Sequence, residues 1–151
     1  MTQSISQVSL YEQDFALWID DTVAKLKAGK LEQLDIENLI EEIESLGRSE
    51  KRELESRLVV LISHILKRVY VNSPNDYRGW INTIEEQRTQ LELLFRNSPS
   101  LKNNFECVFP ELYQFSLKRL RREYSTNFPD EWQFSNQLDA LLNDTFWEEE
   151  Q

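Results

Sequence analysis

Three glutamates in the stretch IENLIEEIESLG, Glu37, Glu41 and Glu44, recur at helical spacing beside an apolar stripe. At about 100° per residue they share one flank of a helix, with Glu42 near the other flank. Carboxylates placed in this way can bind a divalent cation, and a bound cation can assist hydrolysis of a phosphate ester or nucleotide. The same ridge can instead receive cations supplied by the protein itself. What the neighbouring helices bring decides between the two.

A ferritin-like di-iron site needs Glu-x-x-His on two helices. His64 is the only histidine and Leu61 stands three positions before it, so that site is excluded. Helical nucleotide pyrophosphatases place a second acidic pair on the next helix, yet residues 56–75 contain no acidic residue before Asp76. The next helix offers Arg57, His64 and Arg68 on one polar stripe, the complement of an acidic ridge. His64 has no acid at i±3 or i±4 to make it a catalytic base, and it reads as a hydrogen-bonded structural residue.

Further along, in TIEEQRTQLELLF, Gln87 projects between Trp80 and Leu94 and Arg88 between Ile81 and Phe95. Two strongly polar heads thus share the face that otherwise points inward. A guanidinium cannot shed its proton, and burying it alone costs several kcal/mol, on the order of the penalty for any unpaired interior ion. Glu41 and Glu44 are its expected partners; the alternative is an Arg88 that reaches solvent with its stem packed on Phe95. The sequence therefore predicts one polar cluster, Glu37, Glu41, Glu44, His64, Gln87 and Arg88, of structural character. No catalytic residue is assigned, and the three glutamates are metal ligands only in the less favoured reading.

The elements that must position these residues are helices. Three Gly and four Pro interrupt a chain of 151 residues rich in Leu, Ile, Glu and Arg, a scarcity of breakers that favours long helices over turn-dense β structure. The first predicted helix starts at Ser9, with Glu12 completing a capping box, and ends at Gly29; its apolar face is Tyr11, Phe15, Trp18, Thr22 and Leu26. The second is capped by Asp35 and stopped by Gly47, with Ile36, Leu39, Ile40, Ile43 and Leu46 on one narrow face that can bury only one side. The third, from Ser49 to about Val71, is apolar over nearly half its circumference and reads as the central helix.

The fourth spans about Tyr77 to Arg96. Ser98 and Pro99 open a fifth that runs through Phe115 to Tyr124, with Pro110 predicted to kink or split it near Cys107. A short last helix starts at Ser135. The predicted fold class is all-α, a bundle of five or six mostly antiparallel helices with a kinked fifth helix, in a single domain over 1–151 whose ends, 1–8 and 148–151, are frayed. Two small subdomains are the alternative.

No window is apolar enough for a membrane span, and MTQSISQVSL is no secretion signal, so a cytoplasmic protein is expected. Cys107 is the lone cysteine and reads as a small buried hydrophobe. The net charge of −10 is unevenly spread: residues 1–47 hold 3 basic and 10 acidic side chains, 48–122 hold 14 and 9, and 123–151 hold none and 8. The preferred reading covers the basic middle with the acidic ends, which makes a nucleic-acid partner unfavourable.

Several stretches together resemble the domain of unknown function 29 family: YEQDFALW at 11–18, DIENLIEEIESLGRSEKREL at 35–54, HILK at 64–67, WINTIEEQR at 80–88, PSL at 99–101, and FW at 146–147. The resemblance covers nearly the whole chain. It implies a helical fold and a bacterial, mainly cyanobacterial source, and it brings no activity, cofactor or site residue with it. Near the end this chain departs from the family pattern, which places Cys-Pro before the last helix and Pro after the final Trp.

Two functions are carried forward. The first is a non-enzymatic interaction or scaffold module that meets another protein or a second copy of itself, without a cofactor; it predicts an exposed apolar patch of roughly several hundred Å². The alternative is a metal-assisted hydrolase at the Glu37, Glu41 and Glu44 ridge, with Arg88 holding an anionic group. The balance is against an enzyme.

Overall fold

The structure, a computed structural model, describes residues 9–148. The predicted all-α bundle forms, and among the described residues there is no strand. Its helices are α1 (Leu10–Gln13), α2 (Phe15–Lys27), α3 (Ile36–Tyr70), α4 (Pro74–Asn97), α5 (Lys102–Glu123) and α6 (Leu138–Asn143), with single 3-10 turns at Leu31–Gln33 and Pro99–Leu101. Contacts cluster into two compact units, Met1–Ser49 and Glu50–Gln151. Of the ends predicted to fray, 1–8 and 148–151, residues 1–8 and 149–151 lie outside the described residues.

In the first unit, the helix predicted from Ser9 to Gly29 is broken at Asp14. Ser9 caps α1 by accepting from the Glu12 amide, as its capping-box spacing implies. Asp14 then turns extended (φ −151°, ψ 90°), and its carboxylate accepts from the Leu17 amide at 3.0 Å, starting α2 afresh. An Asp competes with the helix for backbone donors, which is why one periodic stretch becomes two helices. Gly29, at φ +73°, ends this segment in the left-handed conformation that only glycine adopts without strain.

α3 corrects the largest boundary error. Gly47 was expected to stop one helix and Ser49 to start another, but α3 passes through both. Gly47 has no positive φ, and a glycine inside a helix costs only about 1 kcal/mol. The residues on either side are strong helix formers, and Arg48 bridges back to Glu41 and Glu44 across the same turns. Nothing at this position forces a stop.

The second unit holds the core. Leu58, Leu61, Ile62, Ile65 and Leu66 of α3 are fully buried against Ile84 and Leu91 of α4 and Phe105 and Leu117 of α5. At about 1.5–3 kcal/mol per buried large aliphatic side chain, the α3 residues alone contribute on the order of 10 kcal/mol. Phe128 and Leu141 close the same cluster from the C-terminal segment. α4 begins at Pro74, earlier than expected, since Pro suits a first helical turn; α6 begins at Leu138, later than Ser135. α5 is not split: it continues through Pro110 as one helix. Cys107, expected to be buried, is exposed on α5, as is Phe115, so the apolar side of that helix is narrower than its composition suggests.

The two glycines make opposite predictions. A Cβ at Gly47 meets nothing within 4 Å, so Gly47→Ala should stabilise the helix by about 0.4–1 kcal/mol. Gly29→Ala should destabilise by a similar or larger amount because of its positive φ. Urea unfolding followed by far-UV circular dichroism measures both; a destabilised Gly47→Ala would mean that α3 is interrupted there.

Candidate functional site

The six residues of the predicted polar cluster fall into separate groups. Glu37 lies exposed in the first turn of α3, where a negative charge suits the helix N-terminus. Glu41 and Glu44 hold Arg48, at 2.8 and 3.7 Å, on the exposed side of the same helix. These acids therefore have a cation from their own helix. Among the described residues no three His, Cys, Asp or Glu side chains converge as a metal site.

Arg88 is indeed buried, with its side chain 7% exposed. Its partners differ from those expected: Nε donates to the Leu141 carbonyl at 3.0 Å, Nη2 to the Asp144 carbonyl at 2.5 Å, and Nη1 to the Glu85 carboxylate at 3.4 Å. Two of the three acceptors are main-chain oxygens at the C-terminal end of α6, which carry the negative end of the helix dipole. Burial pushes the guanidinium below its ordinary pKa, and Glu85 and Asp144 oppose that shift. Gln87 receives Nη1 of Arg57 at 3.2 Å, and Arg57 also holds Glu53 at 3.0 Å, so one polar link joins α3 to α4.

His64 is half-buried and bonds through Nδ1 to the Val60 carbonyl of its own helix at 2.8 Å. A carbonyl only accepts, so Nδ1 carries the proton in the neutral ring. Burial lowers the pKa of His64, while its carbonyl partner pulls the other way.

Arg68, expected on a polar stripe that complements the acidic ridge, is instead buried among aromatic side chains: its guanidinium lies 3.9 Å from the Tyr77 ring centre and 5.7 Å from that of Trp147, and Nη2 donates to the Glu148 carbonyl. The aromatic partners lie on other elements, so periodicity within α3 gave no sign of them.

The strongest candidate surface lies in the first unit. α2 and residues 36–49 of α3 enclose an apolar groove of about 350 Å³ lined by Phe15, Trp18, Ile19, Leu26, Leu39, Ile43 and Leu46. Here only Trp18 is a fully buried apolar side chain, at 5% exposure, with Phe15 stacked on it and Tyr11 edge-on at 4.9 Å. Tyr11 donates to the Glu42 carboxylate at the groove edge, and that hydrogen bond pushes the phenol up to about 12. Ile40, Ile43 and Leu46 remain 50%, 60% and 69% exposed. These large aliphatic side chains are grouped on two adjacent helices and not scattered singly over the surface.

The family model described as a domain of unknown function, DUF29, matches residues 10–147. The chain belongs to this family. No curated protein and no solved structure matches it. Membership brings no assigned activity to the chain. No helix among the described residues is long and apolar enough to cross a membrane.

Arg88 and His64 yield separate expectations. Arg88→Met should cost about 3 kcal/mol by removing charge-assisted bonds to the Leu141 and Asp144 carbonyls, whereas Glu85→Gln, at an exposed acid, should change stability by less than about 0.5 kcal/mol. Equal losses in urea unfolding would show that the ion pair, and not the carbonyls, holds the arginine.

For His64, a folded pKa below the unfolded 6.5 means that the unfolded chain binds the proton first. Its contribution is complete above pH 6.5 and is lost as the pH falls from there toward the folded value. Unfolding free energies measured across that window should decline on acidification, and His64→Gln should flatten the slope.

Proposed function

We infer that the protein is a non-enzymatic interaction module, and that the face it presents is the apolar side of α2 and residues 36–49 of α3. The observation that carries this reading is the imbalance between the two units. The second buries a full core, while the first leaves Phe15, Ile19, Val23, Leu26, Ile36, Ile40, Ile43 and Leu46 between 40% and 69% exposed. A unit of the short α1, α2 and the first part of α3, with Trp18 as the one buried apolar side chain among its described residues, gains little free energy of its own. Its stripe repeats at i, i+3, i+4 and i+7 on both helices, the pattern that packs against further helices. The partner surface on this reading is therefore helical and apolar, and no cofactor takes part.

The polar groups support a structural role. Arg88, Gln87 and Arg57 join helices to one another, and Glu41 and Glu44 are engaged with Arg48. No observation favours metal-assisted hydrolysis at Glu37, Glu41 and Glu44. A cytoplasmic location belongs to the same reading, since the single cysteine builds no disulfide framework.

A photoreactive residue placed at Ile43 tests the reading in living cells. The expected result is a discrete cross-linked adduct that disappears when Ile40→Lys is added, with no adduct from the same probe at Glu53. Absence of any adduct at Ile43, or one indifferent to Ile40→Lys, would overturn it.

A further inference from the structure

We propose that the partner of this face is a second copy of the chain, joined through α2 and residues 36–49 of α3 into an isologous four-helix bundle. The inference rests on the interaction-module reading above and names its occupant.

Three observations support a second copy. First, α2 and the first part of α3 supply half of such a bundle: two helices joined through residues 28–35, each with an apolar stripe at bundle spacing, with one apolar groove between them among the described residues. Second, the area is right. With side chains of roughly 150–200 Å² and the exposures observed, the stripe offers roughly 700 Å² of apolar surface per copy, close to the ~800 Å² that each partner contributes to a standard stable interface. Third, the unit has so little interior of its own that a constant partner suits it better than an occasional one. A second copy is always made alongside the first, and a two-fold axis requires only this one surface.

Charge gives the proposal a signature. Residues 1–47 carry 10 acidic and 3 basic side chains, so bringing two such units together opposes like charges across the rim while the apolar centre drives association. Screening relieves the repulsion. Added salt therefore tightens this dimer, whereas a contact between the acidic unit and a basic surface would loosen. The groove of Val59, Val60, Leu112 and Phe115 in the second unit is not such a surface, since Glu55 and Glu111 balance Arg52 and Arg119 along it.

The test is sedimentation equilibrium of the whole chain over a range of concentrations, between about 0.02 and 0.5 M salt. The expected result is a species of twice the 18.1 kDa chain mass whose dissociation constant falls as salt rises. Ile40→Lys with Leu46→Lys should weaken it by about 100-fold or more. Ile40→Gln with Leu46→Gln, at positions already half or more exposed, should weaken it less while retaining the parent circular dichroism.

A wild-type chain that stays at 18.1 kDa overturns the proposal. So does a dimer indifferent to all these substitutions, or one that salt dissociates. If the chain is monomeric and the Ile43 probe still yields its adduct with another protein, the interaction module stands and only the second copy is lost.

Discussion

Covering the apolar side of α3 is the constraint on which the rest of the structure depends. Beyond residue 50 the side chains on this helix are too large and too numerous to leave in water. α4, α5 and the segment that contains Phe128 and Leu141 meet them until five α3 residues reach zero exposure. Before residue 50 the same helix carries a narrower stripe, and α2 covers only part of it. A helix of 35 residues is thus a core element over one part and leaves its apolar side chains largely exposed over the other. The difference lies in what the chain supplies opposite, since the hydrophobic effect depends on the area removed from water and not on the residues' being apolar.

The ionic groups follow the same logic at higher cost. A buried guanidinium needs acceptors near at hand, and Arg88 finds them at the end of α6, ready-made by the helix itself. Arg68 instead lies against Tyr77, where a flat cation on an aromatic face retains part of what it loses in leaving water. The exposed pair of Arg48 with Glu41 and Glu44 contributes little stability by comparison, although it bridges the turns around Gly47.

Periodicity made most of the fold legible, because helix type, the central role of the 54–66 stretch and the cap at Ser9 all follow from local spacing. The errors arose where two local preferences compete. Gly47 resembles a stop and is a weak point inside a longer helix; Asp14 resembles an interior residue and is a cap. The candidate site was legible in part. That Arg88 occupies an inward face could be read from the sequence, but its acceptors could not, since main-chain oxygens have no letter in a sequence and side-chain acids were the only partners visible. The open groove was harder still. Phe15, Trp18, Leu26, Leu39, Ile43 and Leu46 all stand on apolar faces readable from the sequence, yet whether such a face is covered depends on how much the remaining chain can bring to it.

Because two of the three bonds to Arg88 end on the carbonyls of residues 141 and 144, the arginine grips the C-terminal segment by its backbone and not by its side chains. An exchange at position 144 leaves its acceptor in place so long as the chain keeps its course after α6. The tail is thereby free to vary in composition while its anchorage persists, a latitude that pairing with a particular carboxylate would have denied it.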